Sequence, residues 1–225
     1  MPAVQIAVLA SGRGSNLQAL LDTLEPASSP GRIALVVSNG ADAGALSVAR
    51  AAGVVAETIG RDGQDSDTLL DHLRAHDIGL IVLAGFLKRV PDAVIAAYRG
   101  RVINIHPALL PAFGGPGMYG RRVHEAVLAS GARVSGATVH AVDEVYDRGP
   151  ILAQWPVPVR PGDTPETLAE RVLHVEHLLL PAVVQAACRD LLSGAEPPGA
   201  LCAAADAFVL SNIPETDLVH ALVSA

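Results

Sequence analysis

The chain has 225 residues, a net charge of −7, a hydrophobic content of 50% and an aromatic content of only 3%. This length allows one large domain or two small ones, with an aliphatic core. The negative charge argues against nucleic-acid binding by broad phosphate neutralisation, and no apolar run approaches the roughly 20 residues of a membrane helix. The first apolar segment has no basic region before it, and Cys188 and Cys202 lack metal or redox spacing. We therefore expect a cytoplasmic protein.

Short runs rich in Val and Ile alternate with helical patterns through the first half of the chain. The predicted strands cover 4–10, 32–39, 54–59, 78–85 and 101–107, and the helical patterns cover 16–24, 43–53, 66–76 and 91–100. Asp65 or Ser66 is the expected cap of the helix over 66–76. Near-continuous apolar strands that alternate with helices are typical of a parallel sheet covered on both faces. The sequence therefore predicts an α/β fold, a doubly wound and mostly parallel Rossmann-like sheet.

The pattern changes after Pro107. Two longer segments, 132–142 and 151–159, predict a strand pair added to the sheet. A long helix is predicted to begin at Pro165, directly after its cap Thr164, and to run to residue 192. We therefore predict one domain over 1–192 and an extension over 193–225, whose Ala-rich sequence, interrupted by Pro and Gly, carries no evident chemistry.

The segment "ASGRGSN" (10–16) joins the first strand to a helix. Its small residues allow backbone N–H groups to converge on an anion at the start of the helix. It is not a dinucleotide fingerprint, because Leu17 stands where the third glycine belongs and the second strand ends in Ser38 and Asn39 without an acidic residue. A tight turn capped by Ser15 or Asn16 remains the alternative. The position at the edge of a doubly wound sheet favours an anion site.

In "INIHPALLP" (103–111), Asn104 and His106 are two residues apart and share one face of a strand. An amide and an imidazole at a strand end can stabilise an oxyanion and move a proton. The alternative is a buried histidine beside a capping asparagine. A catalytic imidazole usually has a carboxylate partner, and Asp143, Glu144 and Asp147 are all candidates in "VDEVYDRGP". Spacing does not choose among them.

The other histidines have simpler interpretations. His174 and His177 lie one turn apart on the long helix, without an H-E-x-x-H frame or a third ligand, so no metal site is predicted. His124 and His140 are interpreted as residues of a helix face and a strand face.

Three segments together resemble the folate-dependent phosphoribosylglycinamide formyltransferases: "SGRGSNLQAL", "LAGFLKRV" with "INIHPALLP", and "SGATVHAVDEVYDRGPILAQ". The helix "GDTPETLAERVLHVEHLLLP" is similar to that family as well, so that the resemblance runs from about residue 4 to about residue 192. It implies a Rossmann-like formyltransferase fold without nicotinamide or metal. It also implies transfer of a formyl group from the co-substrate 10-formyltetrahydrofolate to the amine of 5′-phosphoribosylglycinamide, in purine biosynthesis.

Carried over residue by residue, the resemblance implies that Asn104, His106 and Asp147 are catalytic, with Asp147 holding His106 in its charged form. It assigns the substrate phosphate to Gly14, Ser15 and Asn16 and the ribose to Glu176. It also implies two segments that bind the folate, with the pteridine in an apolar slot between them. The residues implied to bind folate are Leu87, Lys88, Arg89, Val90, Asn104, Asp143, Glu144, Val145, Tyr146 and Asp147. Arg61 is added as the nearest counterpart of a family arginine.

The chain departs from the family pattern at two places. "FLKRV" has a second cation where the family often has an aliphatic residue, and the turn "AFGGPGMYGRRVHEAV" is longer than usual, with Arg121 and Arg122 suited to an anion. Two alternatives stay open: a formyltetrahydrofolate hydrolase that uses the same site, and a ligand-binding module without catalysis. The expected partners are small molecules, with no nucleic acid or membrane, and the sequence does not specify the oligomeric state.

Overall fold

The computed structural model of the chain describes residues 3–24 and 28–194. Within these ranges the strands are β1 (Val4–Leu9), β2 (Gly31–Ser38), β3 (Val55–Thr58), β4 (Ile78–Leu83), β5 (Val102–His106), β6 (Val134–Ala141) and β7 (Ile151–Pro158). The helices are α1 (Ser15–Leu24), α2 (Gly44–Ala51), α3 (Ser66–Ala75), α4 (Asp92–Ala97), α5 (Arg121–Ala129) and α6 (Pro165–Leu192). The predicted extension lies outside the described residues from 195 onward.

The strands form one sheet in the order β3-β2-β1-β4-β5-β6-β7. β1 to β5 are parallel, whereas β6 and β7 are antiparallel to their neighbours. The predicted mostly parallel sheet with an added strand pair is therefore confirmed. The direction in which strands are added to the sheet reverses between β1 and β4: β2 follows β1 on one side, and β5 follows β4 on the other. Sheets of this kind bind ligands in the crevice at such a reversal, here between the carboxyl ends of β1 and β4.

Both faces of the sheet are buried, because successive side chains of a strand point to opposite faces. In β1, Ile6 and Val8 belong to the core under α1, α2, α5 and α6, whereas Ala7 and Leu9 belong to the core under α3 and α4. All four side chains are 0% exposed. This two-sided burial explains why the parallel strands are continuous apolar runs.

The predicted helix caps are confirmed at two helices. Asp65 accepts a hydrogen bond from the Thr68 backbone N–H at 3.0 Å before α3, and Thr164 forms a capping box with Thr167 before α6. α4 ends at Ala97, earlier than the predicted helix over 91–100. Within the described ranges, no helix is long and apolar enough to cross a membrane.

Candidate active site

A cavity of about 610 Å³ opens at the carboxyl edge of the sheet. Residues from the ends of β4, β5 and β6, the turn after β1 and the inner side of α6 line it. It contains every predicted catalytic residue, the predicted ribose residue and both predicted folate segments: Asn104, His106, Asp147, Glu176, Leu87–Val90 and Asp143–Asp147. Long-range folding thus brings residues separated by up to 160 positions, Asn16 and Glu176, to one opening.

The glycine turn after β1 contributes Arg13 and Asn16 to the cavity lining, whereas Gly14 and Ser15 are not among the lining residues. Gly14 has a φ of +89°, and a Cβ at this position would lie 2.8 Å from the Ala45 Cα atom. Glycine is therefore required here by backbone conformation and by close packing against α2. Ser15 begins α1. The predicted anion role of Gly14 and Ser15 stays a prediction for their backbone N–H groups.

Asn16 and Glu176 meet on the α6 side of the cavity. The Asn16 amide Nδ2 donates to Glu176 Oε2 at 2.7 Å, and Asn16 Oδ1 is buried without a hydrogen-bond partner among the described residues. Glu176 is 7% exposed, and this burial raises its pKa to about 7, although the hydrogen bond from Asn16 opposes the shift. The pair therefore presents a buried acceptor and a carboxyl group that titrates near neutrality, both suited to sugar hydroxyls.

Asn104 and His106 lie at the end of β5 and face the same side, as the spacing predicts. Their cross-strand neighbours on β6 are His140 and Thr138, respectively. The Thr138 hydroxyl donates to the Ala108 carbonyl at 2.6 Å and accepts from the backbone N–H of Leu110 at 3.0 Å. β6 therefore fixes the chain directly after His106, which keeps the imidazole at the sheet edge.

The structure brings Asp147, and neither of the other two candidate carboxylates, to His106. Asp147 Oδ2 lies 3.7 Å from His106 Nδ1. Asp143 instead accepts from the backbone N–H of Val145, and Glu144 pairs with Arg99.

The backbone at Asp147 is itself unusual. Asp147 has a φ of +54°, a region that non-glycine residues rarely adopt, and its carboxylate accepts from the Gly115 N–H at 2.8 Å. Such strained positions cluster at functional sites, where the surrounding structure holds them in place.

The surroundings of His106 favour its neutral form, whereas the resemblance implies that Asp147 holds the imidazole charged. Burial lowers the pKa of His106, and the opposing charge of Asp147 offsets this only in part. The ring Nε2 lies 2.9 Å from the Phe113 carbonyl, so Nε2 carries the proton and Nδ1 is the free acceptor in the neutral form. Burial would also raise the pKa of Asp147, but the neighbouring His140 ring, the Gly115 N–H and the His106 imidazole together bring it below its usual value.

His140, which the sequence analysis assigned to an ordinary strand face, connects two of the catalytic candidates. It is 2% exposed, and its Nδ1 lies 2.8 Å from the Ala141 carbonyl, which fixes a proton on Nδ1. In the neutral ring Nε2 is then an acceptor, and the Asn104 amide nitrogen lies 3.0 Å from it. The same Nε2 is 3.5 Å from Asp147 Oδ1. His140 therefore orients Asn104. The sequence carried no signal for this role, because the pairing of His140 with Asn104 depends on the register of β5 and β6.

His124, interpreted as a residue of a helix face, is also buried and lines the cavity. Burial lowers its pKa to about 4, and the charge of the neighbouring His106 adds to this shift. Its Nδ1 has no hydrogen-bond partner among the described residues. The buried side of α5 thus presents a neutral imidazole to the cavity wall.

The two predicted folate segments both line the cavity, and one hydrogen bond connects them. Arg89, the second cation of "FLKRV", donates to the Glu144 carbonyl at 3.1 Å and pairs with Asp92. The additional arginine therefore holds the 143–147 loop against the segment after β4. Arg61 is exposed and does not line the cavity, so its predicted folate contact receives no support. Among the described residues, no group of three or more His, Cys, Asp and Glu could hold a metal ion.

A hydrogen-bond donor and a histidine–carboxylate pair, set in a cavity at the edge of a doubly wound sheet, define an enzyme suited to group transfer through a tetrahedral intermediate. The particular family follows from comparison with known proteins. Residues 4–184 match the formyl transferase family model, and the chain belongs to that family.

Similar proteins agree with this assignment. The chloroplastic phosphoribosylglycinamide formyltransferase of Arabidopsis thaliana is 45% identical over 198 residues, which are 85% of this chain and 68% of that protein. The crystal structure of phosphoribosylglycinamide formyltransferase from Anaplasma phagocytophilum has a TM-score of 0.79 and 36% identity, covering 84% of this chain and 88% of the other. A formyltetrahydrofolate deformylase from Pseudomonas syringae has a TM-score of 0.75 and 25% identity, covering 84% of this chain and 62% of the other.

Proposed function

We propose that this protein transfers the formyl group of 10-formyltetrahydrofolate to the primary amine of 5′-phosphoribosylglycinamide. The observation that carries the proposal is the convergence of Asn104, His106 and Asp147 at the cavity, with His106 Nδ1 facing the Asp147 carboxylate at 3.7 Å. Family membership supplies the reaction class. The names of the similar phosphoribosylglycinamide formyltransferases supply the acceptor.

The site's hydrogen bonds suggest a role for each catalytic residue. The amine nitrogen attacks the formyl carbon, and the carbonyl π electrons move to oxygen to give a tetrahedral oxyanion. Asn104 Nδ2 gives one N–H to His140 Nε2, which leaves its second N–H to donate to this oxyanion. A donor that is already oriented costs no reorganisation when the charge develops.

His106 and Asp147 then move the proton. Because His106 Nε2 donates to the Phe113 carbonyl, Nδ1 is the nitrogen that exchanges protons. It takes the proton from the attacking amine, and the imidazolium so formed is stabilised by Asp147 and donates toward the oxyanion. When the bond between the formyl carbon and folate N10 breaks, the same proton goes to N10, so the reaction needs no net proton uptake. The lowered pKa of His106 suits this role, because the resting ring must be neutral to accept.

The proposed binding regions follow from the cavity walls. The folate pteridine lies between Leu87–Val90 and the 143–147 loop, and the phosphoribosyl group lies toward Asn16 and Glu176. We further propose that residues 1–192 form the catalytic domain, that the protein acts in the cytoplasm, and that its partners are these small molecules. Fractionation of cells that express the full chain tests the location.

Turnover with and without the acceptor amine tests the function. The protein is mixed with 10-formyltetrahydrofolate, with or without 5′-phosphoribosylglycinamide, and tetrahydrofolate release is followed. Release that depends on the amine supports the transferase. His106→Ala should lower kcat by about 100- to 10,000-fold, whereas His174→Ala, at an exposed histidine of α6, should leave it unchanged.

A hydrolase that uses the same residues is the second candidate, because the chain is also similar in structure to a formyltetrahydrofolate deformylase. It predicts equal folate release without the amine. Binding of folate without turnover under either condition would instead favour a ligand-binding module.

A further inference from the structure

Arg13 lies at the centre of the glycine turn and lines the cavity together with Asn16 and Glu176. Its side chain is exposed, in contrast to that of Leu17 one helical turn later, which is 0% exposed. An arginine at this position places a permanent positive charge on the wall that the proposed function assigns to the phosphoribosyl group.

The backbone that carries Arg13 is held firmly by α2. The Ala45 backbone N–H donates to the Gly12 carbonyl at 3.1 Å. A Cβ at Gly44 would lie 3.0 Å from the Arg13 carbonyl oxygen and 3.1 Å from its Cα atom, so the first turn of α2 packs directly on the Arg13 backbone. Only the side chain of Arg13 is therefore free to adjust to a ligand.

The charges on this side of the cavity leave Arg13 as the available cation. Three acidic residues line it, namely Glu166, Glu170 and Glu176. The other arginine there, Arg121, donates to Glu125 at 2.8 Å and to Glu166 at 2.9 Å, so its charge is already compensated. In the part of the chain that the structure describes, no ion pair involves Arg13. Arg121 compensates Glu166 in the same way, so a phosphate dianion close to Glu170 and Glu176 still needs an uncompensated cation to offset their repulsion.

The surrounding backbone favours an anion at the same place. The first turns of α1 and α2 both meet the glycine turn, and neither contains an acidic residue. The amino ends of both helices therefore add positive potential beside the Arg13 side chain without internal compensation.

We propose that the Arg13 guanidinium binds the 5′-phosphate of the acceptor substrate, so that the phosphate is held by a side chain as well as by N–H groups of the turn. This inference rests on the proposed function. The planar guanidinium matches a phosphate with two parallel N–H donors, which lysine cannot reproduce. Arg13 thus determines specificity for the phosphorylated acceptor over the nucleoside and takes no part in the formyl transfer itself.

The test compares Arg13→Ala and Arg13→Lys with the unchanged protein on two acceptors, 5′-phosphoribosylglycinamide and its dephosphorylated nucleoside. Loss of a charge-assisted pair predicts a rise of about 10- to 100-fold in KM for the phosphorylated acceptor in Arg13→Ala. We expect a smaller rise in Arg13→Lys and unchanged values for the nucleoside and for formyl-folate. Arg50→Ala is the matched control, because Arg50 is exposed in the last turn of α2 and does not line the cavity.

A second measurement separates this inference from the proposed function. Calorimetric binding of ribose 5-phosphate should weaken by a similar factor in Arg13→Ala and not in Arg50→Ala, whether or not the protein transfers formyl groups. Equal effects of Arg13→Ala on both acceptors would overturn the inference. The inference would also be overturned if Arg13→Ala bound ribose 5-phosphate as tightly as the unchanged protein, or if the unchanged protein did not bind ribose 5-phosphate. A protein that binds ribose 5-phosphate through Arg13 but releases no folate would refute only the proposed function.

Discussion

Replacing Glu176 with Gln should make the protein more stable at alkaline pH. Glu176 is 7% exposed and has a pKa of about 7 because of its burial, whereas the ordinary value is 4.5. Gln keeps the size of the side chain and an oxygen that accepts from Asn16 Nδ2, now 2.7 Å from the carboxylate. The substitution therefore removes the titration and little else.

The sign and size of the effect follow from proton linkage. Between pH 4.5 and 7 the folded protein keeps a proton on Glu176 that the unfolded chain has lost, so this residue lowers the free energy of unfolding as pH rises. The slope is about 1.4 kcal/mol per pH unit, which gives a total of about 3 kcal/mol. The Glu176→Gln variant should match the unchanged protein at pH 4.5 and exceed it by about this amount at pH 8.

The difference between the two proteins is the quantity to measure, because other groups also titrate. Burial lowers the pKa of His124 to about 4, so the unfolded chain binds the extra proton between about pH 4 and 6.5, and this histidine makes stability rise with pH. Its contribution cancels in the comparison. Denaturant unfolding followed by circular dichroism at pH 5, 6, 7 and 8 gives the two curves. A stability difference that does not change with pH would refute the assignment of a buried, titrating Glu176.

Substitutions at three further sites, Asp147, His140 and Gly14, test the catalytic network and the glycine turn. Asp147→Asn keeps an acceptor for the Gly115 N–H but removes the charge beside the imidazole, so we expect kcat to fall by about 100- to 10,000-fold with little change in KM; steady-state kinetics check this, and a kcat within a few-fold of normal would contradict the role of the charge. His140→Leu removes the acceptor that orients Asn104 and should lower kcat by about 10- to 100-fold, whereas His140→Gln, which keeps an acceptor, should recover part of the rate; equal rates in both variants would argue that the residue only fills space. Gly14→Ala should destabilise the fold by about 1–3 kcal/mol more than Gly53→Ala in thermal unfolding, because both glycines have positive φ but only Gly14 closely approaches a neighbouring backbone.

Much of the fold was predictable because its signals are local. The parallel strands are buried on both faces, which makes them continuous apolar runs, and the caps Asp65 and Thr164 stand directly before α3 and α6. The end of α4 was less predictable, since helix ends depend on tertiary packing as well as on propensity.

The candidate site was predictable only in part. The spacing of Asn104 and His106 gives them a common face, because side chains alternate along any strand. The choice of Asp147 over Asp143 and Glu144 was not open to the same reasoning. It depends on a loop in which Asp147 takes a φ of +54° while Glu144 turns away to Arg99. Composition and spacing carry no information on that loop conformation.

The amino-acid sequence by itself determined the doubly wound sheet, the edge of the sheet where a ligand is expected and the polar pair at the end of β5, since each follows from the periodicity or the order of neighbouring residues. Only the tertiary structure decided that His140 orients Asn104, that Asn16 meets Glu176 and that Arg13 lines the cavity while Gly14 packs against α2. The physical reason is the same in all three cases. Hydrogen-bond geometry, burial and the pKa values that follow from it depend on atoms brought together across 30 to 160 residues of chain.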